Sequence, residues 1–360
     1  MTTTLLTLRE KLRNAIGDEA LDFTGHATDA INNASREIYP NLYKPIDDKT
    51  LITGNILPNG HFRDWSQTTY PDHYSLSNVT AVASTTAGTY RGGTKSAKVT
   101  ASAGNGYLYI SSNSYPRLLD LMGKTVTFKC WAYPEVANDA TIEIYTVQAD
   151  GSAQTLTSTT SCPAGKFTLL ELEDQELNDD LTEVQIRFKI TTNAKYVYFD
   201  DARVTGRNVY EYLLPVDLQN GDVREVWMQG TGYSDDICDD LQPRFSDLIY
   251  GWDVFSDGTY KYLRLPFLYS SEKRIRLLGI CPLEEVDDDT DTITLDGEKV
   301  NLLITYAAYL LYEMEIGTPS SEDVSRYERQ AGRWWAKYKR LQSHMRMTRP
   351  GQTLNLTGVY

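Results

Sequence analysis

Cysteine is scarce in this chain, and its placement excludes more than its number. Cys130, Cys162, Cys238 and Cys281 stand singly, with no CxxC pair to open a zinc ribbon and no spacing that reads as a secreted disulfide framework. Small buried thiols are the expectation. Histidine is equally rare: His26, His61, His73 and His344 sit in no triad context, and there is no GxSxG elbow. A Walker loop, a GxGxxG turn and an HExxH helix are all missing, so phosphate cradling and zinc hydrolysis have no motif to rest on. Any two of the 49 acids would qualify as a glycosidase pair, which singles out none; no enzyme is expected. No stretch approaches the roughly 18 apolar residues of a spanning helix, and the start Met1-Thr2-Thr3-Thr4 lacks a signal peptide's basic and long apolar regions. A soluble, cytoplasm-made protein with no membrane partner is therefore expected. Positive charge is short as well: 35 Lys and Arg against 49 acids give a net charge of −14. That disfavours wrapping nucleic acid by counterion release, though DNA could slide past an acidic wall.

What is present is 360 residues, 41% of them hydrophobic, enough for roughly two to three cored domains. Leu5, Leu8, Leu12 and Ile16 recur at helical spacing behind Thr4 as a cap, and Ala27, Ala30, Ile31, Ala34 and Ile38 mark a second helix that Pro40 ends. From about Asn55 the period drops to two, as in Val126, Phe128 and Cys130, and short strands separated by turns predict a sandwich or barrel. Beyond Arg207 a small mixed region follows. From Lys299 the chain is helical again. Val300, Leu303, Ile304, Ala307, Ala308, Leu310 and Leu311 are apolar nearly all round, so this helix should be buried and stopped by Gly317. The last helix carries a seam of Val324, Tyr327, Ala331, Trp334, Tyr338, Leu341 and Met345. Its other faces hold Arg326, Arg329, Arg333, Lys337, Lys339, Arg340 and Arg346, a basic patch that suggests an acidic partner surface or DNA. The simplest arrangement sets the first two helices against the last two as a four-helix bundle. The expected fold class is α+β and multidomain: a discontinuous helical-bundle body, 1–51 and 208–344, with a small β region, an all-β sandwich inserted at 52–207, and an extended tail at 345–360.

Two resemblances sharpen these expectations. The outer parts carry Tyr212-Leu213-Leu214-Pro215, then Val223 to Met228, Trp252 to Leu265, Arg274-Ile275-Arg276-Leu277-Leu278-Gly279, the acidic Asp287 to Asp291 turn and an Ala/Leu/Tyr helix. In that order they resemble the head-to-tail adaptor family of tailed bacteriophages. The resemblance implies a dodecameric ring in the virion neck, assembled in the host cytoplasm. It would dock under the portal protein, contact a downstream neck or tail protein, and let DNA pass through its lumen without sequence-specific binding. The portal-facing residues it implies are Arg333, Lys337, Arg340, Arg346, Arg349, Leu354, Leu356 and Tyr360. The insert opens Asn55-Ile56-Leu57-Pro58-Asn59-Gly60-His61-Phe62 with Trp65 after it. It continues through Gly123 to Phe128 with Trp131, and closes Val197-Tyr198-Phe199-Asp200-Asp201-Ala202-Arg203-Val204. This series looks like a carbohydrate-binding module of the jelly-roll type, a decoration or a glycan reader; the alternative to a neck adaptor is a glycan-binding, tail-associated protein that uses this module for host-surface adhesion.

Sugar recognition on such a module uses aromatic faces with amide and carboxylate hydrogen bonds. Trp65, Tyr70, Tyr74, Tyr107, Tyr109 and Tyr115 are the candidates, and Trp131 is expected in the core. No cofactor is expected, with structural calcium the one ion to test. Asp287, Asp289, Asp291 and Glu298 fall at positions 1, 3, 5 and 12 of an EF-hand-like loop, but Thr292 occupies the position that needs glycine. Asp200 is the other calcium candidate, and Arg63 stands where the module family often has the acidic partner.

Overall fold

The computed structural model of the chain describes residues 2–17, 23–159, 161–206, 209–230, 245–269, 272–316 and 321–347. In chain order the elements begin with β1 (Thr2–Thr4), α1 (Leu5–Ile16), α2 (Phe23–Glu37) and β2 (Lys44–Ile52). The central strands are β3 (Ser75–Ser77), β4 (Val79–Ser84), β5 (Ser96–Ala101), β6 (Gly106–Ser111), β7 (Thr125–Pro134) and β8 (Ala140–Gln148), then β9 (Ala153–Thr157), β10 (Thr168–Glu176), β11 (Leu181–Ile190) and β12 (Tyr196–Thr205). There follow β13 (Glu211–Leu213), α3 (Val216–Gln219), β14 (Asp222–Gln229), β15 (Phe245–Leu248), β16 (Asp253–Ser256), β17 (Lys261–Arg264), β18 (Arg274–Cys281) and β19 (Thr292–Thr294), before α4 (Gly297–Ile316) and α5 (Ser321–Met347). Two compact units result, residues 1–45 with 280–360, and residues 46–279. Among the described residues no helix is long and apolar enough to cross a membrane.

In the helical unit, Thr4 accepts the Thr7 N–H at the start of α1, and Gly17 closes the helix in a left-handed conformation that costs glycine least. Leu5, Leu8 and Leu12 of α1 and Ala27, Ala30, Ile31 and Ala34 of α2 bury their stripes against Leu303, Ala307 and Leu311 of α4. Apolar nearly all round, α4 has neighbours on several sides: α1, α2 and α5 each pack on it. Asn32 joins this core to the segment before α4, its Nδ2 donating to the Val286 carbonyl at 3.0 Å while its Oδ1 accepts the Val286 N–H at 3.1 Å. Both Asn32 and Val286 are buried. Asn32→Ala therefore strands a buried donor and acceptor, and urea unfolding followed by the helical far-ultraviolet signal is expected to show a loss of about 2–3 kcal/mol.

The second unit is built around two five-stranded antiparallel sheets, β10-β7-β12-β5-β4 and β3-β6-β11-β8-β9. From β5 to β8 and again from β9 to β12 successive strands alternate between the two sheets, the connectivity of a jelly roll. Strand alternation decides what is buried. Val126, Phe128, Cys130 and Ala132 of β7 face Val184, Ile186, Phe188 and Ile190 of β11, all at 0–1% exposure. Phe188 is the hub, with ring centroids 5.3 Å from Phe62, 5.5 Å from Phe128 and 5.5 Å from Phe199. Beside the sandwich lie a three-stranded sheet, β13-β17-β16, and a four-stranded one, β15-β14-β18-β2. His61 belongs to the framework: fully buried, 3.2 Å from Asp201, it is held below the usual imidazole range by burial.

The structure corrects the expected fold class. The structure is mostly β, with 39% strand against 24% helix, and among the described residues no helical-bundle adaptor body forms. The first two helices do not pair off against the last two; α4 takes α1 and α2, while α5 packs chiefly on α4. Residues 208–279, assigned from sequence to that body, lie in the β unit, where their strands pair with one another and with β2. Short strands with charged outward residues hide their period. Asp47 of β2 and Arg276 of β18, for example, meet as an outward ion pair at 2.8 Å.

Candidate functional site

Turning the apolar residues of β11 inward leaves Gln185, Arg187 and Lys189 on the outer face of its sheet. The antiparallel registers then fix three rows across that face. One runs Ser75, Tyr109, Arg187, Glu143, Thr157; the next Ser77, Tyr107, Lys189, Thr141; the third Ser111, Gln185, Tyr145, Thr155. Residues directly opposite share a face, so three tyrosines, an amide, a carboxylate, two cations and a set of hydroxyls stand together. The Arg187 guanidinium lies 4.6 Å from the Tyr107 ring centroid and 3.8 Å from that of Tyr145, and its Nε donates to Gln185 at 2.8 Å. It is a flat plate held on rings. Glu143 accepts from Lys189 at 2.8 Å and is only 4% exposed although it points away from the core. An outward side chain is that buried only where its neighbours rise around it, so Glu143 marks the floor of a groove.

The groove adjoins a cleft of about 430 Å³, whose wall includes Ser75, the partner of Tyr109 in the first row. Tyr70, His73, Tyr115, Arg117 and Tyr260 line it. The His73 ring is 5.4 Å from Tyr260 and 6.4 Å from Tyr115, and burial lowers its pKa. Arg117 is fixed by Glu211 at 2.9 Å and lies 4.1 Å from the Tyr262 ring. Burial pushes the Glu211 carboxyl up, but hydrogen bonds from Arg264 and Arg117 outweigh it and leave the group below its usual range.

Asp64, also in the cleft wall, has a carboxylate that accepts no hydrogen bond among the described residues. Burial, with the charge of Asp48 added, raises its pKa to about 6. A carboxyl raised above its unfolded value of 3.8 binds its proton more tightly in the fold, so it lowers stability as pH climbs from about 4 to 6. Asp64→Asn should therefore raise the urea midpoint at pH 8 by the equivalent of about 1–2 kcal/mol and leave it unchanged at pH 4. An equal shift at both pH values would contradict this origin.

The candidates named from sequence part company here. Tyr107 and Tyr109 meet on the groove, ring centroids 5.5 Å apart. Tyr70 and Tyr115 line the cleft. Tyr74 is 3% exposed, donates to the Pro58 carbonyl at 3.2 Å and packs on Phe62 and Phe188, so it is a core residue. Trp65 donates its Nε1 to Phe62 and lines neither site. Trp131, expected in the core, stands half-buried on the outer face of the other sheet with Arg91 3.9 Å from its ring. Arg187, Tyr145, Glu143 and Lys189 were missed, although period two through 184–190 points to the odd-numbered cations.

Of the calcium candidates, Asp289, Asp291 and Asp200 are engaged by other partners. Asp291 accepts the N–H groups of Asp287 and Asp288, Asp289 pairs with Arg9, and Glu298 lies in the first turn of α4. Asp200 accepts the N–H groups of Arg91 and Gly92 at 2.6 and 2.9 Å. Among the described residues no group of three or more metal-ligating side chains comes together. Arg333, Lys337 and Arg340 are exposed on α5, and Arg346 lies near its end; Arg349, Leu354, Leu356 and Tyr360 lie outside the described residues.

The class these features define is a two-sheet β-sandwich whose outer faces carry rings and polar side chains. No family model matches the chain, and no curated protein matches its sequence. Among solved structures it is similar to the C-terminal family 22 carbohydrate-binding module of Clostridium thermocellum Xyn10B, with 14% identity over 42% of this chain and 93% of that one and a TM-score of 0.36. It is also similar to TmCBM61 in complex with β-1,4-galactotriose, with 12% identity over 42% and 99% and a TM-score of 0.31. The bacteriophage CBA120 tailspike protein 4 enzymatically active domain shares 12% identity over 43% of this chain and 22% of that one, with a TM-score of 0.32.

Proposed function

We propose that this chain is a non-catalytic glycan-binding protein that holds a polysaccharide along the groove on the β3-β6-β11-β8-β9 sheet. The observation that carries the reading is the row Tyr109, Arg187, Glu143 with Tyr107 and Tyr145 beside it: aromatic rings for the C–H faces of sugars, and charged and amide groups already oriented for their hydroxyls. The groove needs little ordering on binding, because Arg187 is braced by two rings and Gln185, and Lys189 by Glu143. The adjoining cleft offers a place for a chain end or a branch.

Affinity electrophoresis against soluble polysaccharides, including xylan and β-1,4-galactan, tests the reading. Retardation of the intact chain in at least one gel, abolished by the double substitution Tyr107→Ala, Tyr109→Ala, is expected. Retardation unaffected by that pair would move the site elsewhere.

A further inference from the structure

The sandwich has a second outer face, and its composition differs from the first. On the sheet β10-β7-β12-β5-β4, inward Phe128, Cys130, Ala132, Val197, Phe199, Ala97 and Val99 leave Trp131, Tyr133, Tyr196, Tyr198 and Lys98 outward. The registers set Tyr133, Tyr198, Lys98 and Val82 in one row, and Phe167, just before β10, extends it with its ring 5.3 Å from Tyr133. Tyr198 is 5.7 Å from Tyr133 and 5.3 Å from Tyr196. At the spacing of adjacent strands, five strands carry this row over about 19 Å.

The charges on this face are unbalanced. Glu135 is taken by Lys195, and Glu171 and Glu173 by Lys129. Arg91 lies 3.9 Å from the Trp131 ring centroid and 5.8 Å from Phe167, and Lys98 lies 4.4 Å from Tyr196 and 5.8 Å from Tyr198. Neither cation forms an ion pair or donates a side-chain hydrogen bond among the described residues; the charge of Glu135 reaches Lys98, but that carboxylate is held by Lys195. Asp200 clamps the backbone N–H groups of Arg91 and Gly92, which fixes the loop that presents the guanidinium. In a chain of net charge −14, two cations without ion-pair partners, braced on a row of rings tilted 63–73° to one another, complement an anionic ligand that brings apolar C–H faces to the rings.

We propose that this face is a second glycan-binding surface, and that it takes a carboxylated polysaccharide. Sugar rings lie along Phe167, Tyr133 and Tyr198, and uronate carboxylates reach Arg91 and Lys98. A guanidinium held on a ring keeps its fork of donors for a carboxylate, and stacking lowers the entropy lost when it binds. The observations are independent of those behind the first groove, so either surface can fail alone.

Calorimetric titration of the intact chain with polygalacturonate oligomers tests it, with three variants in parallel: Arg91→Gln with Lys98→Gln, Lys98→Glu alone, and Tyr107→Ala with Tyr109→Ala. All sites are at the surface, and an unchanged thermal midpoint verifies folding; should the double cation variant melt early, Lys98→Glu reads the same electrostatics. Saturable binding is expected. The cation variants should weaken it at least tenfold, rising salt should weaken it steeply, and the Tyr107, Tyr109 pair should leave it unchanged. Absence of saturable binding would overturn the proposal, including the case where the face is an interface for a protein. So would binding indifferent to the cation variants, or binding lost with the tyrosine pair, which would place the acidic glycan on the first groove.

Discussion

Phe188→Ala is expected to destabilise the sandwich by about 3–5 kcal/mol. The ring is fully buried and touches Phe128 and Phe199 of the facing sheet and Phe62 and Tyr74 of the opening loop. Phe128 and Phe199 are fixed by the strand registers of the facing sheet and cannot collapse into the space, so a cavity adds to the lost transfer energy. Urea unfolding followed by near-ultraviolet aromatic signal should show the midpoint fall with an unchanged slope. Phe188→Leu, which keeps most of the volume, should recover more than half of the loss. A loss below about 1 kcal/mol for the alanine variant would mean that the two sheets are not packed across this ring.

The second large effect concerns recognition. Arg187→Ala is expected to weaken glycan binding by about tenfold to a hundredfold, equivalent to about 1.4–2.8 kcal/mol, without moving the thermal midpoint by more than a degree or two. The substitution removes a donor fork and also the plate against which Tyr107 and Tyr145 rest, so the rings lose their fixed orientation. Arg187→Lys retains the charge but not the plane, and should restore little of the affinity. Full rescue by lysine would make the contribution one of net charge alone. Isothermal titration with whichever polysaccharide retards the wild-type chain provides the measurement.

Much of the local structure was legible in the sequence, and the reasons for the rest are physical. Leu5, Leu8 and Leu12 and the apolar run from Val300 to Leu311 announce helices because one stripe, or every face, must be buried. Val126, Phe128 and Cys130 announce a strand for the corresponding reason. The same period held information that was not used: if 126, 128 and 130 face inward, Trp131 and Tyr133 face outward, and the aromatic bias toward the core had to yield to the pleat. Tyr74 shows the opposite error, a loop aromatic whose hydroxyl reaches Pro58 and whose ring fills the core. The groove residues were half legible, because Tyr107 and Tyr109 announce themselves as aromatics, whereas Arg187 and Glu143 acquire meaning only when two registers bring them into one row.

The helical-bundle body was the larger misreading. Helix periodicity is visible one segment at a time, but how four helices share a core depends on which of them is apolar all round. α4 takes the centre, so pairing the helices by chain order gave the wrong partners. The strands of 208–279 are mostly short, and several pair with segments distant in sequence, as β13 does with β17 and β14 with β18. Nothing local signals such pairing, and the resemblance that assigned these residues to a helical body rested on the order of motifs rather than on strand content.

The central claim is that the β3-β6-β11-β8-β9 sheet face holds a glycan, and hydrogen–deuterium exchange of the intact chain with and without saturating polysaccharide tests it most directly. Slowed exchange confined to residues 106–111, 140–148 and 183–190, fading into 70–75 at the cleft, is the expected result. Binding with no change in those three strands, or with slowed exchange only in the helical unit, would contradict the assignment of the groove.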